Sequence, residues 1–278
     1  MNPKQQKVQK FLKLLNESFD KETEKSKRIA LAFSGGVDSS LLAKLAKDKK
    51  IKFAVYVVGI KGCHDILAAK KVAKELKIKL RVITINQKDI KKALKPQTRI
   101  LEEVYKKIRK NSRLNIPAPD PVSVSFNLPL FFVAKHTKEE IIMLGQGPDN
   151  LLGGYHKHKK LPEKEAIKEI MKDTQEIVKI SIPQYNAIGE HFNKKISTPY
   201  LSKELVKFCL KLPYELKINK DLDKYILRIA AKKTGLSKKT SERKKKAAQY
   251  GTNIMNEIIK IAKAEGKTDR QLIQEHRR

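Results

Sequence analysis

The most constraining stretch of this chain is Ser34-Gly35-Gly36-Val37-Asp38-Ser39-Ser40. It follows the apolar run from Arg28 to Phe33 and precedes Leu41, Leu42, Ala43 and Leu45, which recur at helical spacing. The pattern predicts a strand, a glycine turn and a helix N-terminus. Such a turn suits an anion: glycine lets the backbone come close, unpaired amides point into the turn, and the positive end of the helix dipole faces the same spot. The Gly-Lys-Ser/Thr ending of a Walker loop is missing. In its place stand the hydroxyls of Ser34, Ser39 and Ser40 and the carboxylate of Asp38, which can hold Mg²⁺ against phosphate oxygens.

Two further apolar, β-branched runs, Ile51 to Val58 and Leu80 to Ile85, flank a helical pattern carrying Ala69, Val72, Ala73 and Leu76, with Asp65 as its expected cap. Strand, helix, strand, helix, strand at this spacing predicts an α/β fold, a doubly wound parallel sheet with ligands at the carboxyl ends of its strands. The turn after Val58 then faces the ligand, with Cys63 and His64 as pocket neighbours. Residues 87 to 110 read as a helix interrupted at Pro96, residues 115 to 121 as a proline-rich lid or connector, and Pro129 as a helix start. Glu140 to Leu144 makes another buried strand. It ends in Gly145-Gln146-Gly147-Pro148-Asp149-Asn150-Leu151-Leu152-Gly153-Gly154-Tyr155, at the same sheet edge as the first loop. His156 to Lys160 reads as a rim, either solvated or facing a polyanion. From residue 163 onward the pattern is helical (163–179, 202–212, 221–234 and 253–264), with Ser202 and Asp221 as N-caps and no recurring strand pattern. Asn2-Pro3 opens a leading helix with Val8, Phe11, Leu12, Leu15 and Phe19 on one face. The expected division is a leading helix over 1–27, a core over 28–160 and an all-helical C-terminal part over 161–278.

The seven residues from Ser34 to Ser40 resemble the PP-loop of the N-type ATP pyrophosphatases, which split ATP between the α- and β-phosphates and adenylate a carboxylate or a base carbonyl. The stretch from Gly145 to Tyr155 is similar to the Gly-Glu-Gly-Ala-Asp-Glu-Leu-Phe-Gly-Gly-Tyr motif of asparagine synthetases and β-lactam synthetases. The resemblance implies an adenine nucleotide alpha hydrolase-like sheet using ATP and Mg²⁺. It assigns Ser34, Gly35, Gly36, Asp38, Ser39, Ser40, Val58 and Gly147 to the nucleotide, and Asp38 and Asp149 to the metal. Gln146, Asn150 and Tyr155 fall in the substrate pocket. Gln146 and Asn150 stand where the family has glutamates, and an amide cannot accept a proton as a carboxylate does. Thr198 to Ser202 resembles the family's Val-Pro-Phe-Leu-Asp, Lys224 to Arg228 its Lys-x-x-Leu-Arg helix, and Arg243-Lys244-Lys245 its Arg-x-Lys loop. By the same resemblance a lysine approaches the α-phosphate, where charge accumulates as pyrophosphate leaves, so Lys245 and then Lys224 join Asp149 as catalytic candidates. Residue 2 is Asn, whereas the family's glutaminase domain begins with Cys, so amide nitrogen is expected from free ammonia or an ammonia-supplying partner.

Charge widens the choice of acceptor. Lys and Arg number 62 against 30 Asp and Glu, a net +32 that attracts polyanions, nucleic acid first. Two distant cysteines, Cys63 and Cys209, exclude a Cys-x-x-Cys metal or redox pair. The sequence has no apolar membrane span and no signal-peptide pattern, from which a cytoplasmic protein without a membrane partner is expected. The expected function is ATP-dependent adenylation of a small acid such as aspartate, followed by amide formation with ammonia. The alternative is an adenylating tRNA-modification enzyme, and a third reading is a nucleotide-binding regulator without acceptor chemistry.

Overall fold

The computed structural model describes residues 2–24, 26, 28–111, 118–220, 222–243 and 248–277, with backbone alone at 248 and 249. Five short strands, β1 (Ile29–Ala32), β2 (Phe53–Ile60), β3 (Leu80–Ile85), β4 (Ile141–Met143) and β5 (Lys195–Ser197), form one parallel sheet in the order β3-β2-β1-β4-β5. The first half of the chain contributes helices α1 (Pro3–Thr23), α2 (Val37–Asp48), α3 (His64–Glu75), α4 (Gln87–Asn111) and α5 (Pro121–His136). After β4 come α6 (Pro148–Leu151), α7 (His156–Lys160), α8 (Glu163–Glu176), a π-helical turn (Ile177–Ser181) and α9 (Ile182–His191). The remainder holds α10 (Lys203–Leu210), α11 (Tyr214–Lys217), α12 (Tyr225–Lys233), α13 (Lys238–Ser241), α14 (Ala248–Gly251), α15 (Ile254–Ala264) and α16 (Asp269–Glu275).

Side chains alternate across the sheet, and both faces are covered, which is why the central strands read as continuous apolar runs. Ile29, Leu31, Val55, Val57, Ile141 and Met143 meet Phe11 and Leu15 of α1, Leu41 of α2, Val72 of α3 and Ile226 of α12. Ala30, Ala54, Tyr56, Val58 and Ile142 meet Leu94 of α4, Phe131 of α5, Ile188 of α9 and Ile258 of α15. From β1 the chain winds outward to β2 and β3, then returns to place β4 on the other side of β1. The order therefore reverses between β1 and β4, and a ligand crevice opens at their carboxyl ends.

Several local expectations shift. The helix α4 runs unbroken through Pro96, because Ile90, Ala93, Leu94, Leu101 and Val104 bury one continuous face on both sides of it. Pro129 likewise lies inside α5, which starts at Pro121 behind a reciprocal cap between Asp120 and Ser123. Cys63, not Asp65, takes the cap position of α3, with Asp65 in its first turn. The C-terminal part is helical except for β5, whose three residues pair along β4. Asn2 and Ser202 cap as expected, accepting hydrogen bonds from Gln5 and Leu205. Both cysteines are buried free thiols. Asp221 and residues 115–117 lie outside the described residues. No described helix is long and apolar enough to cross a membrane.

Candidate nucleotide site

The loop after β1 is built around Gly35, whose φ of +68° is left-handed. A Cβ there would lie 2.8 Å from the backbone of Ala68 and Ala69 in α3, so glycine is required for fit as well as for torsion. Ser34 stays exposed and accepts a hydrogen bond from the Gly36 amide at 3.3 Å, while Gly36 caps α2 with no side chain of its own. Asp38 and Ser39 then stand in the first turn of α2, buried but facing the crevice. The loop after β4 closes on this turn: a Cβ on Gly145 would come within 2.9 Å of the Ser39 amide. Gly147 caps α6, which carries Asp149 and Asn150.

Between the two loops lies the ammonium of Lys224, at the N-cap of α12 and only 1% exposed. Its Nζ donates to Asp38 Oδ2 at 2.7 Å and Oδ1 at 3.1 Å, and is 3.1 Å from Asp149 Oδ1. Two buried carboxylates from separate strand ends thus share one cation. Their all-oxygen donor set and the cation already between them fit Mg²⁺, which is usually held by one or two carboxylates together with substrate phosphates. No group of three or more His, Cys, Asp or Glu side chains that could hold a metal ion occurs among the described residues. Tyr200 fixes the arrangement from behind, its hydroxyl donating to the Asp38 carbonyl at 2.9 Å. Arg243 reaches the same loop and donates to the Gly35 carbonyl at 2.9 Å, and Arg228 holds the segment that carries it by donating to the carbonyls of Ser241 and Arg243.

A cavity of about 330 Å³ opens over these groups. Ser34, Asp38, Ser39 and Asp149 form its polar end, and Val57, Val58, Phe126, Pro129, Leu130 and Val133 its apolar walls. One polar and one flat apolar end match the two chemistries of a nucleotide. Gln146, Tyr155, Phe126 and Tyr185 separate it from a second cavity of about 550 Å³, lined also by Asn127, Asn150, Asp173, Glu176 and Gln184. Burial pushes the Tyr155 phenol up, with Tyr185, Asp173 and Glu176 adding to the shift, so it remains a neutral hydroxyl and lies 3.4 Å from Asn150 Oδ1.

The residues singled out in the sequence divide clearly. Ser34, Asp38, Ser39, Val58 and Asp149 line the first cavity, Gln146 and Tyr155 line both, and Asn150 lines the second. Gly35, Gly36, Ser40 and Gly147 frame the loops without lining either cavity. Lys224 is at the centre, and Lys245 lies outside the described residues. The supposed rim at His156 to Lys160 is corrected at His158, which is wholly buried because its Nε2 pairs with Asp173 Oδ2 at 2.8 Å. The α5 wall, Tyr200 and Thr252 were not anticipated. An apolar helix face reads the same whether it fills a core or walls a pocket, and Thr252 is brought to the end of β2 from 192 residues away, its carbonyl accepting from the Ile60 amide at 3.0 Å.

The fold and this crevice define a doubly wound α/β protein with a glycine-turned loop and helix N-terminus at its topological switch point. The sequence profile described as asparagine synthase matches residues 10–197 and 195–275, and the chain belongs to that family. It is 25% identical over 284 residues to a putative glutamine-hydrolyzing asparagine synthetase of Methanocaldococcus jannaschii, covering 88% of this chain and 49% of that protein. It is 27% identical over 258 residues to the glutamine-hydrolyzing asparagine synthetase of Rattus norvegicus, covering 89% of this chain and 44% of that protein. The chain thus spans about half the length of the curated relatives it matches. Among solved structures, an NMN synthetase from Francisella tularensis aligns over 100% of this chain and 94% of its own, with a TM-score of 0.44 and 12% identity.

Proposed function

We propose that this chain is an ATP-dependent ligase that adenylates an acceptor carboxylate with release of pyrophosphate and then forms an amide. The observation that carries the reading is the shared cation: Asp38 and Asp149, from the two loops flanking the switch point, both contact Lys224. The amides and hydroxyls of the Ser34 to Ser39 loop bind the leaving pyrophosphate, and the walls from Val58 and α5 receive the adenine. Mg²⁺, when bound at Asp38 and Asp149, neutralises phosphate oxygens. Lys224 stays beside the phosphates and offsets charge as the α–β bond breaks. Arg243 adds a second positive charge at the loop. An amine nitrogen, ammonia being its smallest form, then displaces AMP from the acyl group. Lys245 is a further candidate for the α-phosphate.

The test is pyrophosphate release from Mg-ATP with ammonia, run with L-aspartate and with tRNA, using Asp38→Ala as the blank. Acid-dependent release that vanishes in the variant is expected. Persistence of release in Asp38→Ala refutes the site. The net charge of +32 favours tRNA as the second reading for the acceptor, and release that requires tRNA selects it.

A further inference from the structure

The two cavities form one trough along α5. Pro129, Leu130 and Val133 of that helix wall the first, Val122, Ser123 and Asn127 wall the second, and Phe126 between them lines both. Gln146, Tyr155 and Tyr185 are shared in the same way. Whatever fills the second cavity therefore touches what fills the first, which is where a group awaiting adenylation must lie.

The walls of the second cavity decide what kind of group that is. Opposite α5 it is lined by Ile177, Ile180 and Ser181 of the π-helical turn between α8 and α9, a departure from regular helix that occurs nowhere else among the described residues and is typical of functional sites. Three phenol rings complete the lining, and their hydroxyls are engaged within the protein. Tyr105 accepts from Gln184 Nε2 at 2.7 Å, Tyr155 lies 3.4 Å from Asn150 Oδ1, and Tyr185 shares a hydrogen bond with Ser181. What the rings offer a ligand is apolar surface. The charged lining residues are spent or peripheral: Asp120, Lys157 and Glu176 are exposed and mark the mouth, and the buried Asp173 is taken by Lys157 at 2.6 Å and His158 at 2.8 Å. Lys157, the one cation among the described lining residues, is held by Glu169 as well, at 2.7 Å. A second carboxylate on a ligand would thus meet an acidic mouth and a lysine already twice paired. At the junction Gln146 is uncharged, and its amide can donate to a carboxylate that a glutamate in its place would repel.

We propose that the second cavity selects the acceptor, and that it prefers a monocarboxylic acid with an uncharged aromatic or branched apolar body over a dicarboxylic amino acid such as aspartate, a proposal that rests on the adenylating function above. The body lies between α5 and the π-helical turn, with its carboxylate at Gln146. A volume of about 550 Å³ is ample for it. In the step itself, one carboxylate oxygen attacks the α-phosphorus. The new O–P bond forms as the α–β P–O bond breaks with its electron pair leaving on pyrophosphate. A carboxylic acid is already ionised at neutral pH, so no base is needed at position 146 for this half-reaction.

The experiment titrates 3-phenylpropanoate, 4-methylpentanoate, succinate and L-aspartate separately, by calorimetry, into the full chain holding Mg²⁺ and an ATP analogue with a methylene bridge between the α- and β-phosphorus. Pyrophosphate release from Mg-ATP is measured in parallel with each acid. At least one monoacid is expected to bind about tenfold or more tightly than succinate and L-aspartate, and to drive the faster release. Ile180→Ala should weaken that monoacid about tenfold, the worth of about two buried methylenes, while Ile180→Leu keeps the affinity and neither alters binding of the ATP analogue. Val122→Ala, at a position 47% exposed and so without consequence for the core, should weaken it in the same direction. Tighter binding or faster release with succinate or L-aspartate, no binding of either monoacid, or an unchanged affinity in both alanine variants overturns the proposal. A monoacid that binds as expected while no acid elicits pyrophosphate release would support the selectivity of the cavity and refute the adenylating function.

Discussion

Replacing Lys224 by Met would leave Asp38 and Asp149 facing each other without their shared cation. Their nearest oxygens lie 2.7 and 3.1 Å from one nitrogen, so they are separated by no more than the combined reach of those two contacts. At about 6 Å and an effective dielectric constant of about 20, two like charges repel by about 3 kcal/mol, the low end of what breaking a buried pair costs. With an unfolding entropy of about 2.1 cal/mol/K per residue, that loss lowers Tm by about 5 °C for a chain this long. The informative part is the response to Mg²⁺ without nucleotide. In the variant, the two carboxylates are open to a dication, and Mg²⁺ at about 100 times its Kd restores about 2.7 kcal/mol. In the unsubstituted chain the ammonium occupies that position and Mg²⁺ alone shifts Tm little. Differential scanning fluorimetry of both proteins over a Mg²⁺ series reads the difference. Equal Mg²⁺ responses, or a variant Tm unchanged without Mg²⁺, would sink the argument that these two carboxylates form the metal site.

Two other buried charges give pH-dependent predictions. Lys217 is 1% exposed and donates to the carbonyls of Cys209 and Leu151; burial pulls its pKa from 10.5 to about 8. Between those values the unfolded chain binds more protons, so stability rises with pH through that window, and the ammonium costs about 3 kcal/mol below it. Lys217→Met should therefore raise Tm at neutral pH, with the gain shrinking toward pH about 10 in paired melts; a gain that grows with pH contradicts the burial argument. Glu139 accepts hydrogen bonds from Thr137 and Tyr56 and pairs with Arg28. Burial alone would raise its pKa, but those hydrogen bonds, with Arg81, hold it below the ordinary 4.5. Its folded value being depressed, its contribution is present above the ordinary carboxylate range and is lost as pH falls through the folded pKa. Glu139→Gln should destabilise at pH 7 and converge with the unsubstituted chain in acid, as read from urea midpoints across pH.

What the sequence made legible is what it encodes over a few residues. The two loops stand out because glycines, hydroxyls and an aspartate are adjacent in the chain, and the buried central strands show as apolar runs. The position of Lys224 is different in kind. The resemblance to the family's Lys-x-x-Leu-Arg helix singles it out among the lysines, but its contact with Asp38 spans 186 residues of chain and leaves no local signal. Tyr200, 162 residues from Asp38, is hidden in the same way. Pro96 and Pro129 misled because a local breaker was set against a long buried face, and packing outweighed it. β5 was invisible because Lys-Ile-Ser carries a single apolar residue, and its strand form comes from the hydrogen bonds it makes along β4.

The charge distribution links the surface to the site. Most lysines lie outside, yet the crevice is lined by Asp38, Asp65 and Asp149, and the cavity beside it by Asp173 and Glu176. A triphosphate drawn in by the outer field therefore meets carboxylates at close range, where like-charge repulsion opposes it. Two features relieve that conflict: the cation shared by Asp38 and Asp149, and the guanidinium of Arg243 at the Gly35 carbonyl. The outer charge concentrates anions generally, whereas the carboxylates oppose an anion at close range unless a cation offsets them. A polyanion held by the surface lysines would still meet the carboxylates of Asp38, Asp65 and Asp149 at the crevice, so attraction by the outer charge and entry to the crevice are physically separable.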